Sequence, residues 1–157
     1  MLDFTEDNNR FLYRAVAVFI DAERVLLHQF EGDEFWALPG GRVEHGESAL
    51  DTVVREMKEE LSIDIVDAQP VWAADNFFHY LDRNCHEMGV YFKVRASSDS
   101  YIYSERQFEG IENETPLTFR WFEIDELDSI RLLPNFLTKS LANLPEGMRY
   151  VCHRDDV

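Results

Sequence analysis

Between residues 47 and 61, apolar side chains recur at Leu50, Val53, Val54, Met57 and Leu61, the three-and-four spacing that predicts one buried helical face. The same stretch contains REMKEEL, in which Glu56, Glu59 and Glu60 set three carboxylates within five positions. Like charges at neighbouring helical positions destabilise a helix by about 0.2–0.5 kcal/mol per pair. At about 100° per residue the apolar set centres near Leu50, and the three glutamates share an adjacent arc that borders the core. Pro39-Gly40-Gly41 stops the chain shortly before this segment and puts a glycine turn beside the acidic face.

The flanking segments read as strands. FLYRAVAVFI (11–20) and RVLLHQF (24–30) are aromatic and β-branched, and Asp21-Ala22-Glu23 between them predicts a tight turn. Phe35 to Leu38 forms a short apolar element. Segments 71–80 and 86–96 predict two more strands joined through Asp82-Arg83-Asn84, and 117–124 another. Residues 97–115 are polar without a long period and predict a loop, often a functional feature in a compact domain. Pro134 predicts the first turn of a short helix over NFLTKSLANL, and RYVCH (149–153) an edge strand. Strands on both sides of one helix predict an α/β chain, and 157 residues fit one domain over 1–157.

Charge narrows the partners. With 31 acidic and 15 basic residues the formal net charge is −16, which repels a polyanion and argues against long nucleic acid. A small anionic substrate then requires metal ions or local arginines to reverse the field at one site. Cys85 and Cys152 are too few and too separated for a disulfide framework. The acidic start MLDFTEDNNRF lacks the basic and apolar regions of a signal peptide, and no apolar run reaches a membrane span. The expectation is a cytoplasmic protein without a membrane partner.

A run of charges most simply reads as a solvated helix face. Three carboxylates on one arc beside a glycine turn also describe a site for a hard cation, which takes oxygen ligands and commonly holds substrate phosphates.

From Gly41 the chain runs Gly, five residues, Glu47, seven residues, Arg55-Glu56, Met57, Lys58, Glu59-Glu60, Leu61, Ser62, Ile63, preceded by Leu38-Pro39-Gly40-Gly41. This spacing resembles the Nudix box of the Nudix (MutT-like) hydrolases. Ser62 departs from the pattern, which has glycine there. A left-handed helix cap occupied by serine costs about 1 kcal/mol, but no proposed ligand is lost.

The resemblance implies a Nudix fold, an α/β/α sandwich around a mixed β-sheet, and hydrolysis of the diphosphate of a small nucleotide-derived substrate with Mg²⁺ or Mn²⁺ present. ADP-ribose, dinucleoside polyphosphates, nucleotide sugars and nucleoside triphosphates are the substrate types it allows. It implies Glu56, Glu59 and Glu60 as metal ligands, with the Gly40 carbonyl a further contact. Glu47 and Arg55 are implied as supports that orient the helix. Glu59 is the general-base candidate within the box. Relatives also draw the base from a later loop, where Glu105, Glu109, Glu112 and Glu114 are all available. Arg42 is a candidate for gripping phosphate. Tyr80, seventeen residues after Ile63, has a spacing similar to that in diadenosine polyphosphate hydrolases. A homodimer is common in the family. A non-catalytic nucleotide-sensing module is the competing expectation, but such modules lose box glutamates and here all stand.

Overall fold

The computed structural model of the chain describes residues 1–155. Nine strands and one long helix account for most of it: β1 (Asp3–Glu6), β2 (Asn9–Asp21), β3 (Arg24–Phe30), β4 (Gly40–Arg42), α1 (Ala49–Leu61), β5 (Ile65–Tyr80), β6 (Arg83–Ala96), β7 (Gln107–Glu112), β8 (Thr115–Glu123), α2 (Leu137–Ser140) and β9 (Arg149–Arg154). The sheet is ordered β7-β8-β3-β2-β6-β5-β9, with β1 and β4 also pairing to β2. It is mixed: β2 with β6 and β5 with β9 are parallel, and the other pairs are antiparallel.

Strand alternation divides the core into two layers. Ala15, Ala17 and Phe19 of β2 face α1 together with Leu26, Phe92, Phe119 and Trp121. Val16 and Val18 point to the opposite side, where Val25, Trp72, Tyr91, Leu127 and Leu137 form a second cluster. That cluster is covered by the turn of 3-10 helix at Ile124–Ser129 and by α2. The result is the expected α/β/α sandwich around a mixed sheet.

The predicted strands stand, with longer ends for 71–80 and 86–96, whose turn is Leu81-Asp82, both with positive φ. The turn at Ala22-Glu23 has the same conformation, suited to a two-residue hairpin. Three expectations need correction. Residues 97–115 are not one loop: a short 3-10 turn at Tyr101–Tyr103 leads into β7. The inward positions of β7 are Phe108, Gly110 and Glu112, so a glycine and a glutamate hide the apolar alternation. The helix after Pro134 is only Leu137–Ser140. The core stripe of α1 is not centred on Leu50, which is 43% exposed, as Val54 is 41%. It runs through Ala49, Thr52, Val53, Glu56, Met57, Glu60 and Leu61, so two of the glutamates lie inside the buried face rather than beside it.

β2 and β3 pair only at Ile20–Val25 and Asp21–Arg24 before they separate. Into the opening comes β4, which pairs Gly40 with Val16 and Gly41 with Ala15, while Ala37 bridges to His28 on the other side. This wedge delivers the glycine turn to the acidic face of α1.

Candidate active site

Helix α1 is fixed at both ends by local chemistry. Ser48 accepts from the Asp51 backbone N–H at its start. At its end Ser62 takes the left-handed conformation, φ 58° and ψ 35°, and the Ser62 and Ile63 N–H groups close back on Lys58 and Met57. The Tyr101 hydroxyl donates to the Leu61 carbonyl at 2.8 Å and ties the following turn to this end.

Close backbone approach on two sides then shapes the site. A Cβ at Gly41 would overlap the Glu56 carboxyl group, so only glycine lets β4 lie against this side chain. A Cβ at Gly110 would stand 2.8 Å from the Glu60 carbonyl and 2.5 Å from the Phe119 ring, so glycine is also what lets β7 meet the last turn of α1. Two residues further along the same face of β7 comes Glu112. Carboxylate oxygens of Glu56, Glu60 and Glu112 lie within 4.8 Å of one another.

The electrostatics of this trio are unfavourable as they stand. Glu60 is 5% exposed and both of its oxygens lack a hydrogen-bond partner. Burial first, and then the neighbouring Glu112 and Glu56, push its carboxyl up to about 9. Burial likewise raises Glu56, against the opposing pull of Arg55. Oxygen-only ligands, orphaned lone pairs and mutual repulsion fit a hard divalent cation.

Arg55 organises the margin. Its Nη1 donates to Glu56 Oε1 at 2.8 Å and to Glu59 Oε2 at 3.2 Å, its Nη2 to the Arg42 carbonyl at 3.2 Å, and two further N–H groups hold Glu47. Hydrogen bonding from Arg55 brings Glu47 down to about 2. Thr52 donates to Glu47 Oε1 at 2.5 Å and completes the support.

Of the sequence candidates, Glu56, Glu60 and Glu112 are brought together, and Glu47 and Arg55 brace them. Glu112 is the member of the 105–114 glutamates that reaches the trio. Glu59, about 100° round the helix from Glu60, has a side chain 59% exposed, turned to Arg55 and outside the trio. Gly40 packs on the Ala15 carbonyl, and Gly41 is the glycine that abuts Glu56. The Arg42 side chain pairs with Asp3 at 3.1 Å. Tyr80 is 48% exposed at the β5–β6 turn, opposite Arg83. Sequence reasoning passed over Arg14, Asn76 and Glu87, polar side chains set into otherwise buried strands; a charge inside an apolar strand run was the available signal.

A sequence model of the NUDIX domain matches residues 11–144. The chain belongs to the Nudix hydrolase family. A dihydroneopterin triphosphate diphosphatase of Escherichia coli K12 is 46% identical over 131 residues, covering 78% of this chain and 79% of that protein. An uncharacterized Nudix hydrolase of Bacillus subtilis, YvcI, is 27% identical over 112 residues, covering 71% of this chain and 66% of the relative. Among solved structures, a MutT protein from Bacillus halodurans aligns with TM-score 0.65 at 21% identity, covering 90% of this chain and 89% of that one. The likeness to this structure is one of fold. As a Nudix hydrolase the chain is a pyrophosphohydrolase that cleaves diphosphate linkages. Among the described residues no helix is long and apolar enough to cross a membrane.

Proposed function

We propose that this Nudix hydrolase is a divalent-metal-dependent enzyme acting on the phosphate chain of a small nucleotide-like triphosphate or diphosphate. The observation that carries the reading is the convergence of Glu56, Glu60 and Glu112 with both Glu60 oxygens unpartnered in a buried position. These three would hold Mg²⁺ or Mn²⁺, with Glu59 and the Gly40–Gly41 turn at the margin. A bound ion supplies charge neutralisation for the diphosphate oxygens and a more acidic water.

The chain's own residues do the rest. Glu47 holds Arg55, and Arg55 fixes the directions of the Glu56 and Glu59 carboxylates. Glu59, solvent-facing at the edge of the trio, takes the proton as water oxygen bonds to phosphorus and the bridging P–O bond breaks. Arg42, within reach of solvent beside the glycine turn, is the arginine of this reading for the phosphate chain. Tyr80 sits at the exposed β5–β6 turn, and the reading assigns it no part in the reaction. Dihydroneopterin triphosphate is the first substrate to try, because the Escherichia coli relative is named for it. The reading takes 1–157 as one cytoplasmic hydrolase domain; residues 156–157 lie outside the described residues. A homodimer is decided by sedimentation equilibrium.

The test is incubation with Mg²⁺ or Mn²⁺ and a panel of dihydroneopterin triphosphate, nucleoside triphosphates, ADP-ribose, nucleotide sugars and diadenosine polyphosphates, with products resolved by chromatography. Cleavage that depends on metal and is lost in Glu60→Gln is the expected result. Cleavage unaffected by chelation would overturn the reading.

A further inference from the structure

β7 is an outermost strand of the sheet and, among the described residues, pairs with β8 alone, with Gly110 opposite Leu117 and Glu112 opposite Thr115. That register decides which of its residues face α1, but not how closely the strand lies against the helix. Glu112 is the last residue of β7 and is followed at once by the Asn113-Glu114 turn. Strand ends open more readily than strand centres. A carboxylate carried there needs something that sets its spacing from Glu56 and Glu60.

The 3-10 turn at Tyr101–Tyr103 reaches both elements. The Tyr101 hydroxyl donates to the Leu61 carbonyl at 2.8 Å, one residue beyond Glu60. The ring of the same tyrosine stands edge-on to Phe108 of β7, with centroids 5.4 Å apart at 77°, and Phe108 in turn stacks on Phe119 of β8 at 5.8 Å. A cap for the last turn of α1 requires the hydroxyl alone; the ring on Phe108 joins the same side chain to β7. The turn is itself anchored. Ile102 is fully buried and its carbonyl accepts from the Trp121 indole N–H at 2.7 Å, while the Tyr103 hydroxyl accepts from the Ala96 N–H at 3.0 Å. Tyr101 is therefore a fixed post between helix and strand. Phe108, Gly110 and Glu112 share one face of β7, so the contact at Phe108 and the close approach of Gly110 to the Glu60 carbonyl define the line along which Glu112 arrives.

We infer that Tyr101 is a positioning residue for metal binding: it holds α1 and β7 at the spacing that brings the Glu112 carboxylate to Glu56 and Glu60. Carboxylates gathered on the two elements favour their separation, and the tie through Tyr101 opposes it. The effect is exerted through Glu112 rather than on the ion or the substrate. The inference rests on the proposed metal reading of the trio, and adds to it a residue outside the trio that sets its geometry.

The experiment is isothermal titration calorimetry of Mn²⁺ into the full chain without substrate, well below the Tm of each variant. Tyr101→Phe removes the hydrogen bond to α1 and keeps the ring; Tyr101 is 41% exposed, so the core stays filled. Tyr103→Phe is the control, since it removes a hydrogen bond of the same kind from the same turn, but one made to the end of β6. Tyr101→Phe is expected to bind Mn²⁺ about fivefold or more weakly, and Tyr103→Phe to stay within about twofold of the unmodified chain. In a Glu112→Gln background the further effect of Tyr101→Phe is expected to shrink below about twofold, because the two residues act as one unit. Equal losses in the two tyrosine variants would make Tyr101 a stabilising contact only and overturn the inference. So would an undiminished effect of Tyr101→Phe in the Glu112→Gln background. Weaker binding in Glu112→Gln with none in Tyr101→Phe overturns this inference alone, whereas unchanged Mn²⁺ affinity in Glu112→Gln overturns the reading of Glu112 as a ligand.

Discussion

Arg55 grips Glu47 with two parallel hydrogen bonds across eight positions, Nε to Oε2 at 2.8 Å and Nη2 to Oε1 at 3.0 Å. The same guanidinium reaches Glu56, so the pose of a buried carboxylate depends on a pair formed one turn or more away. A lysine keeps the charge but not the planar fork. Arg55→Lys is expected to lower stability by about 1–3 kcal/mol and to reduce kcat at least about tenfold through misplacement of Glu56. Urea unfolding and steady-state kinetics read the two effects. A variant with unchanged kcat would remove Arg55 from the positioning role.

The Glu47 carboxyl is drawn down to about 2 by Arg55. Its folded value lies below the ordinary 4.5, so its contribution is complete above that value and is lost as pH falls toward 2. Glu60 has the opposite sign. Held up to about 9 by burial, it keeps a proton in the folded chain that the unfolded chain has released. In chelator, stability is therefore expected to fall as pH rises from 4.5 towards 9. Glu60→Gln mimics the protonated side chain and should flatten that limb while lowering metal-dependent turnover by about a hundredfold or more. Melting curves at pH 6 and pH 8.5 in chelator decide it: an equal loss of Tm in the variant would mean that Glu60 is not the group responsible.

Most strands of this fold were legible because β2, β3, β5, β6 and β8 carry continuous apolar or aromatic runs. β7 was not, since its inward positions include Gly110 and Glu112, chosen for backbone approach and charge rather than for burial. The helix was legible in position and extent but not in rotation. Leu50 and Val54 mark an apolar flank, whereas tertiary contact with β4 and β7 turns Glu56 and Glu60 inward. The resemblance of the box implied Glu56, Glu59 and Glu60 as ligands with Glu47 and Arg55 as supports, and of these Glu59 stands outside the trio. Which later glutamate joins them depends on a strand pairing that local sequence does not encode, and only the register of β7 on β8 carries Glu112 to the trio.

Gly41 and Glu56 leave no room between them for a methyl group. Gly41→Ala should displace the Glu56 carboxylate or push β4 away from Val16 and Ala15, and both outcomes loosen the cation cradle. Weaker Mn²⁺ binding is expected, by about tenfold or more, measured by calorimetry on the purified chain. Binding at the original affinity would show that Glu56 tolerates displacement and is not a ligand.

Ser62 supplies a separate test, because it is uncharged and outside the trio while its backbone is strained. With φ at 58° it occupies the left-handed region that favours glycine, and its side chain is exposed. Ser62→Gly relieves the steric cost of the Cβ but gives the unfolded chain more freedom, and the two effects oppose each other. The net gain is expected to be about 0.5–1 kcal/mol, a rise in Tm of about 1–4 °C for a chain of this size. Differential scanning calorimetry measures it, with metal-dependent turnover as the control. A Tm that stays level or falls would mean that the Ser62 and Ile63 N–H bonds to the last turn of α1 already offset the strain.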